Sequence, residues 1–376
     1  MKRFLRVLKK ALLWMLALIL VLTLFIFLYM RLAKFGKSPD GNRQQLIEQS
    51  DNYRDGQFQN IHHTPTLTEG HSMGGILYKQ LFKDHPRRKP EGPIPNVGTD
   101  LEKLPAGENV LVWFGHSSYY MQIDGMRFLV DPVFSGNASP VPGSVKAFEG
   151  ANTYGVDDLP PIDYLFISHD HYDHLDYETI LKLKDKVGAV ICGLGVGSHF
   201  EHWGYPADKL IEKNWHETVE LAEGFRVHTV PSRHFSGRTF KRNNTLWQAY
   251  VLETPSLKIY IGGDSGYDTH FAETGEKFGP VDLAILENGQ YNEAWEAIHM
   301  LPPQLLKAAT DLQAKRVFPV HNAKFVLAMH PWDQPMRHVT ELNEAYGFPL
   351  VTPRIGEVVD LNDPDQTFDP WWEDVK

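Results

Sequence analysis

Hydrophobic positions fall into two regimes along the chain. From residue 11 to residue 30 every position is apolar except Thr23, and about 20 such residues in a helix match the thickness of a bilayer core. From residue 110 onward the pattern becomes short apolar stretches divided by glycine, proline, asparagine or aspartate, as buried strands require. Residues 110–114, 119–123 and 126–130 open the series, with Asp124-Gly125 as a hairpin turn between the second and third. Further strands are predicted at 163–167, 189–192, 225–230, 249–253, 257–261, 283–286 and 317–320. Helices are predicted at 178–186 and from Pro302-Pro303 to Ala314, where proline suits the first turn. Strands in runs with interspersed helices suit an α/β domain of two sheets packed face to face. Periodicity alone also allows other α/β arrangements.

The apolar run reads as an uncleaved anchor. A signal peptide has a shorter apolar core, about 7–15 residues, closed by small residues, whereas Tyr29-Met30-Arg31-Leu32 ends this one. Trp14 and Tyr29 lie near its two ends, where aromatic side chains anchor at interfaces. Lys2, Arg3, Arg6, Lys9 and Lys10 precede the run, and Arg31, Lys34 and Lys37 follow it. That excess of cations predicts a cytoplasmic N-terminus and a main domain on the extracytoplasmic side.

Residues 36–60 are polar and read as a linker leaving the membrane. Residues 61–95 hold His62, His63, His71 and the cluster Arg87-Arg88-Lys89. No strand precedes those histidines, so surface or packing roles are expected of them. The basic cluster fits contact with anionic headgroups or a solvated charge run equally well. The expected organisation is thus an anchor (1–35), a linker and extension (36–95) and a catalytic domain (96–376). The net charge of −10 argues against a general nucleic-acid binder. A single cysteine, Cys192, excludes an intramolecular disulfide, and its apolar neighbours predict a buried strand position.

Chemistry concentrates in Ser168-His169-Asp170-His171-Tyr172-Asp173-His174, three imidazoles and two carboxylates directly after a predicted buried strand. Neutral imidazole and carboxylate are the usual ligands of zinc and similar divalent ions. A strand that ends in such a loop is a scaffold for a metal site. His234, Asp264 and His321 each follow another apolar run, and ligands fixed just past strand ends are held rigidly. Each has a dull explanation singly; in this order the four segments predict one site.

These residues resemble the metallo-β-lactamase-fold hydrolases. The HxHxDH motif is matched by His169, His171, Asp173 and His174, the later single residues by His234, Asp264 and His321, and an early strand-end aspartate by Asp131. Within that group the chain looks most like the N-acyl-phosphatidylethanolamine phospholipase D branch, with the ascorbate-phosphate lactonase branch nearby. The stretches that carry this are Trp113-Phe114-Gly115-His116-Ser117, His171 to Asp176, Lys277 to Ala284, Gly289-Gln290-Tyr291 and His299. The chain departs from the branch at Glu293-Ala294, which replaces a Pro-Arg pair, and at Leu286-Glu287-Asn288, which replaces a more apolar run. Both positions are expected along the substrate cleft.

The resemblance implies an αββα sandwich behind one N-terminal transmembrane helix, and two divalent ions, zinc by default with manganese or iron as alternatives. It implies His169, His171 and His234 around one ion, Asp173, His174 and His321 around the other, and Asp264 between them, with a hydroxide shared by the pair as nucleophile. His116 and Asp131 are expected to orient ligands, and His299 to meet the phosphate or the leaving oxygen. Asp173, Asp264 and His299 are the expected catalytic residues. Arg233, Arg238, Lys241 and Arg242 would steer an anionic substrate or form an exposed basic loop. Tyr291, Trp295 and Trp247 are candidate walls for acyl chains, although core packing is the commoner fate of such residues. The expected activity is that of a membrane-anchored phosphodiesterase of phospholipase D type acting on phospholipid. A lactonase or other small-substrate hydrolase on the same two ions, and a non-enzymatic lipid-binding protein, are the alternatives.

Overall fold

A computed structural model describes residues 1–375. The apolar run lies in α1 (Lys2–Tyr29), a helix of 28 residues with none buried. At 1.5 Å per residue it measures about 42 Å, enough to cross a bilayer core of about 30 Å.

The segment expected as a linker is instead folded onto the domain. After α1 a short turn, Ala33–Phe35, buries Phe35. Trp203 Nε1 donates to Ala33 O at 2.8 Å, and Arg238 Nη2 donates to Lys34 O at 2.7 Å. The Lys37 amide donates to His199 Nδ1 at 3.0 Å. The same buried Arg238 reaches through Nη1 to Asp170 O (2.8 Å) and Leu175 O (2.7 Å), so one guanidinium joins this strap to the HxHxDH loop. Phe35 meets Tyr172 of that loop edge-on, ring centroids 6.2 Å apart. Beyond the strap, α2 (Gly41–Glu48) and a hairpin of β1 (Tyr53–Arg54) and β2 (Gln57–Phe58) bury Ile47 and Phe58 among Trp215, Leu246 and Trp247. The sequence hid this because a few apolar residues in a polar stretch carry no periodicity. α3 (Met73–Phe82) follows, capped by Ser72, whose Oγ accepts from the Gly75 amide.

The domain opens with β3 (Val110–Trp113), β4 (Tyr119–Ile123), β5 (Met126–Val130) and β6 (Ile162–Ile167). Next come α4 (Tyr177–Leu183), β7 (Val187–Gly193), α5 (Gly197–His202) and β8 (Leu210–Lys213). The second half runs β9 (Thr218–Ala222), β10 (Phe225–Val230), β11 (Ala249–Glu253), β12 (Lys258–Ile261), α6 (His270–Phe278) and β13 (Leu283–Glu287). It closes with α7 (Pro302–Asp311), β14 (Val317–Val320), α8 (Gln334–Asn343) and β15 (Val358–Asp360). One sheet has the order β15-β3-β4-β5-β6-β7-β8 and the other β14-β13-β12-β11-β10-β9. All ten expected strands appear. The edge strands β8, β9 and β15 were missed, being polar or only three to five residues long.

Alternation puts Phe128 and Phe166 on the face turned to the other sheet, where Phe166 meets Tyr250 at 5.0 Å and Phe128 meets Phe225 at 6.4 Å between ring centroids. Leu305, Leu306, Ala308 and Ala309 of α7 pack on the outer face of the second sheet with Val251, Tyr260 and Ala284. The result is the four-layer sandwich expected. β5 runs parallel to β6, and β12 to β13 and β14, so their C-terminal ends gather along one rim.

The strap fixes the chain that follows α1 firmly against the domain. Removing residues 1–28 is expected to leave the domain's melting temperature unchanged, whereas removing residues 1–38 strips the Tyr29 bond to Pro140 O, the buried Phe35 and the Arg238 contacts. Losing about 3 kcal/mol should lower Tm by roughly 5 °C, and calorimetry of the two truncations in detergent checks the difference.

Candidate metal centre

Every residue of the predicted site arrives on that rim. Asp131 follows β5, His169 to His174 follow β6, His234 follows β10, Asp264 follows β12 and His321 follows β14. The turns are constrained. His116 (φ 56°), Asp131 (φ 40°) and His321 (φ 68°) adopt the left-handed region, at a cost of about 1–3 kcal/mol each. Reciprocal backbone hydrogen bonds hold two of them: His116 N donates to Asn322 O, and His321 N to His116 O, both at 3.0 Å. The buried Lys324 ammonium steadies the same corner, donating to Phe114 O and Val133 O at 2.9 Å each.

The side chains converge in two groups. His169 Nε2 and His234 Nε2 lie 2.8 and 3.3 Å from His171 Nδ1. Asp173 Oδ2 lies 3.5 Å from His174 Nε2 and 3.4 Å from His321 Nε2. Asp264 stands between them. Its Oδ1 is 3.2 Å from His174 Nε2, while its Oδ2 is 3.3 Å from His321 Nε2, 3.7 Å from His234 Nε2 and 3.9 Å from His169 Nε2. The donor sets His169/His171/His234 and His116/Asp173/His174/His321 each gather ligand atoms within 4.8 Å of one another.

Outer contacts fix the rings. Asp131 Oδ2 is 2.8 Å from His174 Nδ1 and accepts from Ser168 Oγ at 2.5 Å. His234 Nδ1 faces Ile298 O at 2.9 Å. His116 Nε2 is 2.9 Å from Asp173 Oδ2, the same oxygen that faces His174 and His321. Metal-binding histidines and carboxylates are typically held in this way.

The donor set fits divalent ions on chemical grounds. His174 Nε2, Asp264 Oδ1 and His321 Nδ1 are buried with no hydrogen-bond partner in the protein, and buried polar atoms are seldom left so. Burial pushes His171 down to about 4 and His116 to about 3, and holds His169 and His234 well below the ordinary range, which keeps these imidazoles neutral. Burial works against ionised Asp173 and Asp264, yet the facing histidines hold both carboxyls well below their usual range. In turn Asp264, Asp173 and Glu287 push His321 up to about 10 despite its burial. Such a centre is short of positive charge, and a divalent ion supplies it.

Glu287 is the functional residue that sequence reasoning placed wrongly. It does not line the cleft. It is buried at the end of β13 with Oε2 2.8 Å from His299 Nδ1 and 3.5 Å from His321 Nδ1, while Oε1 accepts from the Met300 amide at 2.6 Å. One signal was available: a carboxylate closing an apolar strand, as at Asp131 and Asp264. Glu293 is exposed, and its neighbour Ala294 accepts the Thr68 amide at 2.8 Å, seating the N-terminal extension above the site.

The centre opens into a cleft of about 290 Å³ walled by Leu67, Met73, Ile76, Phe235, Trp295, Ile298 and Leu327, with His299 at its base. A second, polar cleft of about 540 Å³ adjoins it through His234, Phe235 and Ile298 and carries Arg54, Asn60, His62, His63 and Arg242. Of the proposed walls Trp295 lines the cleft, whereas Trp247 is core and Tyr291 is buried against His330. Of the basic residues near His234, Arg242 lines the polar cleft and covers the Phe235 ring at 4.0 Å. Arg238 is the buried clamp, Arg233 is occupied by Thr64, His63 and Asp268, and Lys241 is exposed. His62 pairs with Asp268 and stands apart from the metal centre.

Three outcomes follow from this geometry. Glu287→Gln keeps the shape but loses the charge that orients His299 and His321, so metal affinity or turnover should fall about 10–100-fold with the fold intact. Asp264→Ala should abolish metal retention. Chelation of the wild type should lower Tm, since an ion held at about 1,000 times its Kd adds about 4 kcal/mol. Elemental analysis and calorimetry read these effects.

Comparisons agree with this architecture. The β-lactamase superfamily domain is matched over residues 126–322. An uncharacterized protein of Mycobacterium bovis is 37% identical over 333 residues, 87% of this chain and 88% of the relative. The N-acyl-phosphatidylethanolamine-hydrolyzing phospholipase D 1 of Caenorhabditis elegans is 26% identical over 293 residues, 72% of this chain and 81% of that protein. In fold, the metallo hydrolase Igni18 of Ignicoccus hospitalis superposes with a TM-score of 0.51 at 18% identity, over 67% of this chain and 97% of that one. With its four-layer fold and its rim of histidines and aspartates, the chain belongs to the β-lactamase superfamily and is a metal-dependent hydrolase of the metallo-β-lactamase fold.

Proposed function

We propose that this protein is a membrane-anchored phosphodiesterase of phospholipase D type, acting on N-acyl-phosphatidylethanolamine or a related phospholipid. The observation that carries the reading is the pair of joined clefts: an apolar one and a polar, basic one meet at the histidine–aspartate centre. An amphiphile with its scissile bond between an apolar and a charged part suits that arrangement. The similarity to a phospholipase D over 72% of the chain supports it.

In this reading His169, His171 and His234 hold one ion, Asp173, His174 and His321 hold a second, and Asp264 is shared. Zinc is the expected metal. When bound, such a pair supplies Lewis acidity and lowers the pKa of coordinated water from about 15.7 toward 7. The rest is done by the chain. His116 and Asp131 keep Asp173 and His174 in place. Glu287 holds His299 through Nδ1, which leaves Nε2 free to give a proton to the departing alkoxide. Arg242 and Arg54 attract the anionic part, while Leu67, Met73 and Trp295 shield the apolar part from water. Helix α1 spans the membrane with the domain on the extracytoplasmic side, as the flanking cations predict, and residues 96–376 form the catalytic unit.

The test is direct. The full-length, zinc-loaded protein in vesicles is given N-acyl-phosphatidylethanolamine, other phospholipids and a panel of lactones. Release of phosphatidic acid with N-acylethanolamine is expected; turnover of lactones with every lipid untouched would replace this reading with the lactonase one. Protease added to spheroplasts should digest the domain, and protection until lysis would reverse the orientation.

A further inference from the structure

Helix α3 departs from what a helix in a globular domain does. None of its ten residues is buried, yet six are large apolar side chains. Met73 is 62% exposed, Leu77 53%, Tyr78 55%, Leu81 64% and Phe82 71%. On a helix, Met73, Leu77 and Leu81 fall in one stripe at four-residue spacing, with Tyr78 and Phe82 flanking it. The Tyr78 and Phe82 rings lie against each other, centroids 5.3 Å apart, and not against the domain. A contiguous apolar surface of this kind on a folded chain marks an interaction site.

Three observations select the occupant. First, between Ser72 and Pro90 the chain carries five cations against one acid, Asp84, although its net charge is −10; Arg87 pairs with Asp333 and Arg88 donates to Ala328 O, and Lys79, Lys83 and Lys89 make no ion pair among the described residues. Apolar side chains bordered by cations suit an anionic lipid surface. Second, Met73 and Ile76, at the start of this helix, line the metal cleft, so whatever receives α3 lies at the mouth of that cleft. Third, the surface is linked to the anchor. Loop 235–242 lines the clefts through Phe235 and Arg242 and grips the strap after α1 through Arg238. At its tip Phe240 is 86% exposed, a further apolar side chain presented to the surroundings.

We infer that α3 is a second membrane contact: its Met73–Leu77–Leu81 stripe, with Phe82 beside it, seats in the interfacial layer of an anionic bilayer and brings the mouth of the metal cleft to that layer. Helix α1 then supplies attachment and α3 supplies alignment. A phospholipid enters from the bilayer past Met73 and Ile76 without crossing water. This last step rests on the proposed phospholipid activity; the contact of α3 with the bilayer does not.

The native Cys192 is buried, so a cysteine placed at Leu81 can be labelled selectively. The full-length Leu81→Cys protein, carrying a bimane label, is reconstituted into vesicles of phosphatidylethanolamine and phosphatidylglycerol. Quenching by nitroxide-bearing lipids and shielding from aqueous iodide are expected. A label open to iodide, or one shielded from both quenchers as when covered by a second copy of the chain, would overturn the inference. In parallel, the Leu77→Asp/Leu81→Asp double variant should hydrolyse bilayer phospholipid at least about fivefold more slowly, because charges replace two interfacial anchors. Its turnover of a soluble phosphodiester should stay within about twofold, since neither residue lines the metal cleft. Equal rates of wild type and variant on bilayer lipid would also overturn it. Insertion of the Leu81→Cys label together with a wild type that consumes no phospholipid would support the contact and reject the substrate.

Discussion

Carboxylates buried among histidines set the terms for the rest of this structure. Asp131, Asp173, Asp264 and Glu287 are each nine-tenths or more buried, and imidazoles face them. Anionic groups withdrawn from water are tolerable only beside positive charge. The carboxylates draw protons onto His174 and His321, whose pKa values they raise, and divalent cations would supply the same charge in place of those protons. The requirement accounts for the left-handed turns at His116, Asp131 and His321, which aim short side chains back over the rim. It also accounts for the two-sheet architecture, because each sheet contributes part of the donor set and the aromatic layer between them fixes the spacing.

Around that centre the N-terminal ninety residues form part of the catalytic domain's surroundings. The strap meets the HxHxDH loop at Asp170 and Tyr172, the two positions outside the candidate donor sets. Asp170 accepts from Thr245 Oγ1 and the Gly237 amide, lies 3.2 Å from His199 Nε2, and offers its carbonyl to Arg238. Tyr172 stacks beneath Arg238 at 4.1 Å and beside Phe35. One seven-residue segment thus faces the candidate metal centre on one side and the strap after α1 on the other. Further on, Leu67, Met73 and Ile76 complete the apolar cleft, and Asn60, His62 and His63 complete the polar one. The N-terminal extension therefore supplies part of the lining of both clefts from outside residues 126–322, which match the family.

What the sequence determined by itself is the part governed by local pattern. Short β-rich apolar runs made the ten principal strands, and twenty apolar residues made α1, because periodicity and length are properties of neighbouring residues. The HxHxDH run with His234, Asp264 and His321 was legible because each ligand had to stand at a strand end to be rigid. Tertiary structure alone decided the rest. Glu287 reads as a departure along the cleft until His299 and His321 are brought beside it from positions 12 and 34 residues away. Arg238 reads as a loop cation until the strap's carbonyl reaches it from 204 residues away. Phe35, Ile47 and Phe58 read as stray apolar residues in a polar linker until the domain offers them a surface. A single position's chemistry is written in the chain, whereas its partner, and hence its electrostatic state and its role, is a property of distance in space that only folding fixes.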